Sequence, residues 1–320
     1  MKWHWTLLVV LSVPSLAGAS PRDHRQVALY ESFGSYDQRV ADVGYRLATR
    51  NVGWCPDAHP TTGLTLSDIA LYPEGARDAV DVAYGRTGDA PIFIGAVARD
   101  SPAAVAGLAR GHAIETIDGV AVTGLGGGKA GYARMAAIDA GTPDWLADGS
   151  LEVRLAGDLE ARKIGSSLAC VSIFQVTADD EVGGSADGRY VKISAAAVAF
   201  ARDDAELATL MAHELAHNIL KHRARLDAHG RSARRVRDTE IEADRMAVWL
   251  LNHAGYDPES AIRFYERIRK EKGDGLIASA THGRTSTRIK AIKAEIAAMR
   301  AVLAADPNAR PPMLVMPLPR

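Results

Sequence analysis

The sequence feature that most constrains the fold is the motif His-Glu-Leu-Ala-His at positions 213–217. It lies within residues 203–220, whose apolar side chains recur at the spacing of a helix. Residues four apart lie on one face of a helix, so the imidazoles of His213 and His217 can contact the same ion. Glu214 lies about 100° further round the helix, beside the ion but not bound to it. A carboxylate there can accept a proton from an activated water molecule.

A metal site of this type needs a third protein ligand, and two sequence patterns could supply one. A third histidine soon after the motif is the first, but no glycine follows His217 and His222 stands one position too early. We therefore interpret His222 as a surface residue at the helix end, where a cation is favoured. The second pattern is a glutamate on a following helix, here Glu240, with Asp244 one turn later. Asp244 can orient a metal-binding histidine by accepting its other N–H.

The two motifs together resemble those of the M48 peptidases, which are zinc metalloendopeptidases of the gluzincin type. The resemblance covers roughly residues 165–305 and continues through Gly-Tyr-Asp-Pro at 255–258. Gly283 stands after His282 where the family usually has proline. The resemblance implies one Zn²⁺ ion held by His213, His217 and Glu240, with Glu214 as general base, His282 stabilising the oxyanion, and Arg288 positioning Asp244 or the His282 loop.

Between the cysteine at position 170 and the metal-binding helix, the sequence predicts a small sheet. Residues 171–176 and 189–194 alternate as strands, and Asp187-Gly188 is typical of a hairpin turn. In zincin-like peptidases such an edge strand pairs with the backbone of the substrate, and a purely structural hairpin is the alternative. Residues 223–237 are rich in arginine and are expected to form a solvated loop, with a basic groove as the alternative.

The N-terminal residues 1–19 have the pattern of a secretory signal peptide. One lysine precedes a short apolar run, and the segment ends in Ala-Gly-Ala. The run is shorter than the ~20 apolar residues that span a bilayer, and no cysteine follows for a lipid anchor. We expect a periplasmic or secreted protein with no transmembrane span after signal cleavage; an uncleaved N-terminal anchor is the alternative. The formal net charge of −1 gives no indication of a nucleic-acid partner.

The chain has two cysteines, Cys55 and Cys170. In a secreted protein two cysteines suggest one disulfide, and two buried free thiols are the alternative. Such a bond would join the segment before residues 60–164 to the segment after them. Residues 22–54 are expected to be helical and would then belong to the peptidase domain.

Residues 60–164, between the cysteines, have the features of a second module. Residues 91–97 predict a strand, 101–108 a short helix closed by glycine, and 111–119 a strand ending in a tight turn. This run resembles the PDZ domains of bacterial proteases, with His112 where aspartate is usual. The resemblance implies a groove for polypeptide chain ends, with residues 63–66 as its first strand and carboxylate-binding loop. A generic small β domain is the alternative.

The expected protein is of the α+β class, with a mainly helical zincin-type metallopeptidase domain, a small β-sheet and an inserted β-rich PDZ domain. The expected boundaries are a signal peptide at 1–19, an N-terminal helical segment of the peptidase domain at 20–59, the PDZ domain at 60–164, the M48-like peptidase domain at 165–310 and an extended proline-rich tail at 311–320. The expected function is cleavage of unfolded or misassembled envelope proteins. The PDZ domain would recruit the substrate or regulate the peptidase domain. A binding protein or chaperone with a latent zinc domain is one alternative, and a different metallohydrolase such as an amidase is another.

Overall fold

A long N-terminal helix, α1 (Pro21–Arg50), is the element on which both halves of the chain pack. In the computed structural model, which describes residues 21–273 and 284–315, one stripe of α1 enters the main hydrophobic core through Val40, Val43 and Leu47. The three residues recur at helical spacing, so they share one face. An earlier stretch of the same helix, around Tyr30, packs on a smaller aromatic cluster.

The second half of the chain is mainly helical. Its helices are α5 (Ala195–Phe200), α6 (Asp204–Ile219), α7 (His222–His229), α8 (Ala233–His253), α9 (Ser260–Lys272), α10 (Thr285–Ala305) and α11 (Pro312–Val315). Helices α6 and α8 pack side by side, with α9 and α10 against them. Leu215 of α6 and Trp249 of α8 are almost fully buried in the main core.

A three-stranded sheet lies against this helical layer. It contains β9 (Ile173–Thr177), β10 (Gly184–Ala186) and β11 (Tyr190–Ser194), in the order β10-β11-β9. Strands β10 and β11 form an antiparallel hairpin, and β11 pairs in parallel with β9. The turn at Asp187-Gly188 is the one that the sequence predicts, but the sequence does not predict the strand before it, β10. The expected edge strand at 189–194 is instead the central strand β11, because it pairs with both neighbours, and β10 lies at the edge.

The residues between the cysteines form a separate six-stranded antiparallel sheet with its own core, called the module below. Its strands are β2 (Leu64–Asp68), β3 (Ile92–Val97), β4 (Ala113–Ile117), β5 (Val120–Ala121), β6 (Ser150–Leu155) and β7 (Arg162–Gly165), and its helices are α2 (Arg77–Tyr84), α3 (Pro102–Val105) and α4 (Tyr132–Trp145). The order is β2-β3-β4-β6-β7, with β5 on β4. Strand β2 therefore lies at an edge, with α4 beside it.

A buried carboxylate fixes α4 relative to β2. Asp68, at the end of β2, is fully buried and accepts hydrogen bonds from the backbone N–H of Gly131 and from Arg134, at 2.8 and 2.6 Å. A buried charge is tolerated only when it is paired and hydrogen-bonded, and Asp68 meets both conditions. The position of α4 beside the edge strand is thus set by specific contacts as well as by apolar packing.

The module joins the rest of the chain through a two-stranded ribbon. Strand β1 (Ala58–Thr61) pairs antiparallel with β8 (Ser167–Cys170). Cys55 and Cys170 are disulfide-bonded at the base of this ribbon, with their Cα atoms 5.5 Å apart. The sequence-based expectation of one disulfide is therefore met by the structure.

Mixed helices and strands agree with the expected α+β class, but two local expectations are wrong. Residues 223–237 form most of α7 and the start of α8 instead of a loop. The tail is not extended at its start: Pro312–Val315 is a helical turn whose Met313 is buried in the main core.

Several expectations lie outside the described residues. These are the signal peptide at 1–19, His282 with its neighbour Gly283, and the last five residues of the tail. Within the described ranges, none of the helices has both the length and the apolar character needed to cross a membrane.

The disulfide generates the first prediction. The two cysteines are 115 residues apart in sequence. For a loop of that length, the chain-entropy model predicts that the disulfide stabilises the folded state by roughly 4–5 kcal/mol. We expect the free energy of unfolding of the Cys55→Ser/Cys170→Ser double variant, measured by urea denaturation, to be lower than that of the wild type by about this amount.

Wild-type protein that has been chemically reduced is the matched control and should unfold like the double variant. Mass spectrometry after alkylation without reductant should show no labelled cysteine in the native protein. Two labelled thiols would contradict the bond.

Candidate metal centre

Helix α6 carries the first two candidate ligands, and its start is determined by local side chains. Asp203 accepts a hydrogen bond from the backbone N–H of Glu206 at 2.8 Å, as expected of an N-cap. The carboxylate of Glu206 accepts from the backbone N–H of Arg202 and is paired with Arg267. Almost the whole helix is buried, so its polar side chains need hydrogen-bond partners inside the protein.

Helix α8 brings the third candidate ligand to the same place. Ser232 caps its start by accepting from the N–H of Arg235, and Gly255 ends it with a left-handed backbone at φ 75°. The N–H of Tyr256 then bonds back to the carbonyl of Leu251, which is the usual closure of a helix by glycine. Because α8 packs along α6, its residues Glu240 and Asp244 face the two histidines.

Three side chains from these helices bring possible ligand atoms close together, and His213, His217 and Glu240 are called the triangle below. The Nε2 atoms of His213 and His217 are 3.2 Å apart. Glu240 Oε2 lies 3.3 Å from His213 Nε2, and Glu240 Oε1 lies 3.6 Å from His217 Nε2. Ligand atoms about 2.0–2.1 Å from a tetrahedral zinc ion would be separated by about 3.3–3.4 Å. The observed distances are close to these separations, and the three residues could hold a metal ion.

One of the two histidines is held by a buried ion pair. Asp244 Oδ1 lies 3.0 Å from His213 Nδ1. Arg288 donates to both oxygens of Asp244, at 2.8 and 2.6 Å, and also to the hydroxyl of Tyr265 at 2.7 Å. Of the two partners that the resemblance implied for Arg288, the structure shows the contact with Asp244. A metal-binding histidine whose second nitrogen meets a carboxylate has a fixed ring orientation and tautomer.

The charges of the site favour a cation at the triangle. Burial by itself lowers the pKa of His213, but its hydrogen bonds to Asp244 and Glu240 outweigh burial and raise that pKa to about 10. Burial by itself raises the pKa of Asp244, but Arg288 and His213 hold it well below its usual range. A proton on His213 is one way to neutralise these carboxylates, and a divalent ion at Nε2 is another.

Glu214 occupies the position expected of a base. It is buried, and burial raises the pKa of its carboxyl to about 7. Edge strand β10 passes directly over it: a Cβ atom added to Gly184 would lie 3.0 Å from Glu214 Cγ. The absence of a side chain at Gly184 lets the strand approach the carboxylate closely. A group with a pKa near neutrality is well suited to take up and release a proton.

His222 is not the surface residue that the sequence was taken to predict. It is only 1% exposed, and its Nδ1 lies 2.9 Å from Nδ1 of His217. Its Nε2 lies 3.0 Å from Glu242, which also accepts from Arg225 at 2.6 Å. Lys221, with a left-handed backbone at φ 52°, turns the chain at the end of α6 and so brings His222 back against the centre.

The structure thus brings together His213, Glu214, His217, Glu240, Asp244 and Arg288, whereas His282 lies outside the described residues. Sequence reasoning missed Tyr265, His222 and Glu242. The last two had a weak signal, since Glu242 lies between two acidic residues already assigned and His222 is only five positions after His217.

Comparison with protein-family models and with curated proteins found no match for this chain. The arrangement of side chains is accordingly the basis on which a function is inferred.

The buried ion pair generates the second prediction. Arg288→Ala would leave Asp244 buried without its cation, and removing one partner of a buried pair costs about 3–5 kcal/mol. We expect a loss of that size in the free energy of unfolding, measured by urea denaturation.

Arg300→Ala, on the same helix α10, is the matched control, because its pair with Glu259 is exposed on both sides. Exposed pairs contribute about 0–1 kcal/mol, so this variant should unfold nearly like the wild type. Equal losses in the two variants would show that the Asp244 contact has no special weight.

Proposed function

We propose that the protein is a zinc-dependent endopeptidase. The observation that carries the proposal is the buried triangle of His213, His217 and Glu240, with the carboxylate of Glu214 beside it. Two histidines and one glutamate are a ligand set of catalytic zinc sites, in which a fourth position stays open for water or substrate. When bound there, zinc would supply a Lewis acid that polarises the scissile carbonyl and makes water more acidic.

Glu214 would carry the proton during hydrolysis. In its ionised form it accepts a proton from the attacking water, and in its protonated form it donates that proton to the leaving amine. Its buried position and raised pKa support both roles, because the two forms are close in energy near neutral pH. His213 would bind the metal and Asp244 would orient His213, so neither is needed as a proton carrier.

The edge strand β10 supports a polypeptide as substrate. Gly184 of β10 lies against Glu214, so a chain added along this edge would run past the base and the metal ligands. Addition of a strand is a common way to bind an extended peptide, because the main chain supplies the hydrogen bonds whatever the sequence. This placement favours an endopeptidase over an amidase that acts on a small substrate.

The module supports recruitment of unfolded chains. A cavity of about 210 Å³ lies between β2 and α4, where Leu64, Met135 and Ile138 contribute apolar surface. Its other wall is formed by Tyr45 of α1 and Phe174 of β9, which belong to the metal-binding half of the chain. A polypeptide end bound there as a PDZ ligand would have a raised effective concentration at the metal centre.

The disulfide supports an oxidising compartment, and we propose the periplasm or the extracellular space. A binding protein or chaperone with a latent metal site is the competing proposal. The buried carboxylate of Glu214 speaks against it, because a site that only binds metal has no use for a costly buried base.

The third prediction tests the base. We expect Glu214→Gln to keep one zinc ion per chain and to lose proteolysis of casein by about 10²–10⁴-fold, the usual contribution of a positioned general base. Zinc content is measured by atomic emission after gel filtration, and proteolysis with and without a chelator.

Glu240→Ala is the comparison variant and should lose zinc and activity together. Near-normal turnover by Glu214→Gln at full zinc content would remove Glu214 from the mechanism. It would then favour a different hydrolytic centre.

The fourth prediction tests the module groove. Met135→Lys places a charge in the apolar cavity, and we expect the KM for an unfolded protein to rise several-fold while kcat and KM for a short fluorogenic peptide stay unchanged. Ala136→Lys, on the next and exposed position of α4, is the matched control and should leave both substrates unaffected. Unchanged KM for the protein substrate in Met135→Lys would exclude the groove as a recruiting site.

A further inference from the structure

We propose that His222 and Glu242 are positioning residues that hold His217 ready to bind the metal ion. The inference rests on the metal centre proposed above and assigns a role to two side chains that the motifs do not include. His222 would accept a hydrogen bond from His217, and Glu242 would select the tautomer in which His222 can accept it.

The contacts form one continuous chain behind the metal ligand. His217 Nδ1 and His222 Nδ1 are 2.9 Å apart, and His222 Nε2 lies 3.0 Å from Glu242 Oε2. Arg225 donates to the same carboxylate oxygen at 2.6 Å. His222 and Glu242 are each 1% exposed. Hydrogen bonds between buried polar groups impose a definite geometry, because breaking them leaves unpaired groups away from water.

The position of the protons follows from the chemistry of the ligand. A neutral imidazole that binds a metal through Nε2 must carry its hydrogen on Nδ1. His217 Nδ1–H then donates to His222 Nδ1, which must be an acceptor. The hydrogen of His222 is therefore on Nε2, where it donates to Glu242. Each step of the chain allows only one tautomer, so an ionised Glu242 specifies the form of His217 that binds metal.

The second histidine of the motif thereby has the same support as the first. Asp244 meets His213 directly, whereas Glu242 lies about 200° round α8 from Glu240 and reaches His217 through His222. The alternative is that His222 only fills space and neutralises Glu242. If the alternative holds, the contact of His222 with Glu242 is required, but its contact with His217 has no effect on metal binding.

Two substitutions at one position separate these roles. The amide group of asparagine falls near the place of histidine Nδ1, and that of glutamine near the place of Nε2. His222→Asn can therefore still accept from His217 while losing Glu242, and His222→Gln can still donate to Glu242 while losing His217. The full-length protein is stripped of metal and titrated with Zn²⁺ against a competing chelator, and a second sample is loaded with Co²⁺ for visible absorption.

We expect His222→Gln to bind Zn²⁺ about 10–100-fold more weakly than wild type, the usual effect of losing a partner of a metal-binding histidine. We expect His222→Asn to stay within about five-fold of wild type and to keep the wild-type Co²⁺ spectrum. Thermal unfolding of the metal-free proteins measures any general loss of stability separately from metal affinity. Wild-type affinity in His222→Gln, or equal losses in both variants, would overturn the proposal.

Glu242→Leu is a second route to the same answer should His222→Gln not fold. It removes the acceptor of the His222 Nε2–H, so the tautomer of His222 that accepts from His217 is no longer selected. Weaker Zn²⁺ binding in this variant supports the proposal, and unchanged binding overturns it. If wild-type protein itself binds no Zn²⁺ at one equivalent, the proposed metal centre fails instead.

Discussion

The contact between Asp244 and Arg288 is the interaction on which the candidate metal centre depends. It joins α8 to α10 and, through His213, to α6, so three helices meet at one carboxylate. Without Arg288 the acidic side chains around the triangle would repel one another in a medium of low dielectric constant. With Arg288 in place, Asp244 stays ionised and can hold the imidazole. The packing of the three helices and the geometry of the candidate metal centre therefore depend on the same pair of charges.

A second arrangement of this kind, on the other side of the site, joins α7 to α8. Arg225 and Glu242 correspond to Arg288 and Asp244, with His222 inserted between the carboxylate and the ligand. Both histidines of the motif are thus supported by an acidic residue whose charge is balanced by arginine. Glu240 and Asp244 are one turn apart on α8 and both contact His213, whereas Glu242 lies on another face of the helix and contacts His222.

The features of the fold and of the candidate site that could be predicted from the sequence are those that short stretches of sequence determine. The motif on α6, the turn between β10 and β11 and the disulfide follow from periodicity, turn residues and cysteine count, which are properties of short segments. The burial of His222 depends instead on the turn at Lys221, and the spacing of apolar residues does not predict that turn. Helix α7 was missed because its arginine-rich sequence lacks an apolar stripe. Its main anchors are Leu226 and the buried His222.

The two-stranded ribbon has a consequence for how such a chain could arise. Thr61 at the end of β1 is paired with Ser167 at the start of β8, so the strands already stand side by side where the module begins. A turn of two residues would be enough to join them into an ordinary hairpin. The module thus occupies the tip of a hairpin, which is the kind of site where whole domains can be inserted without disturbing the parent fold. By this register, a shorter chain without the module could lead from α1 through a simple β-turn directly into the sheet beside the candidate metal centre.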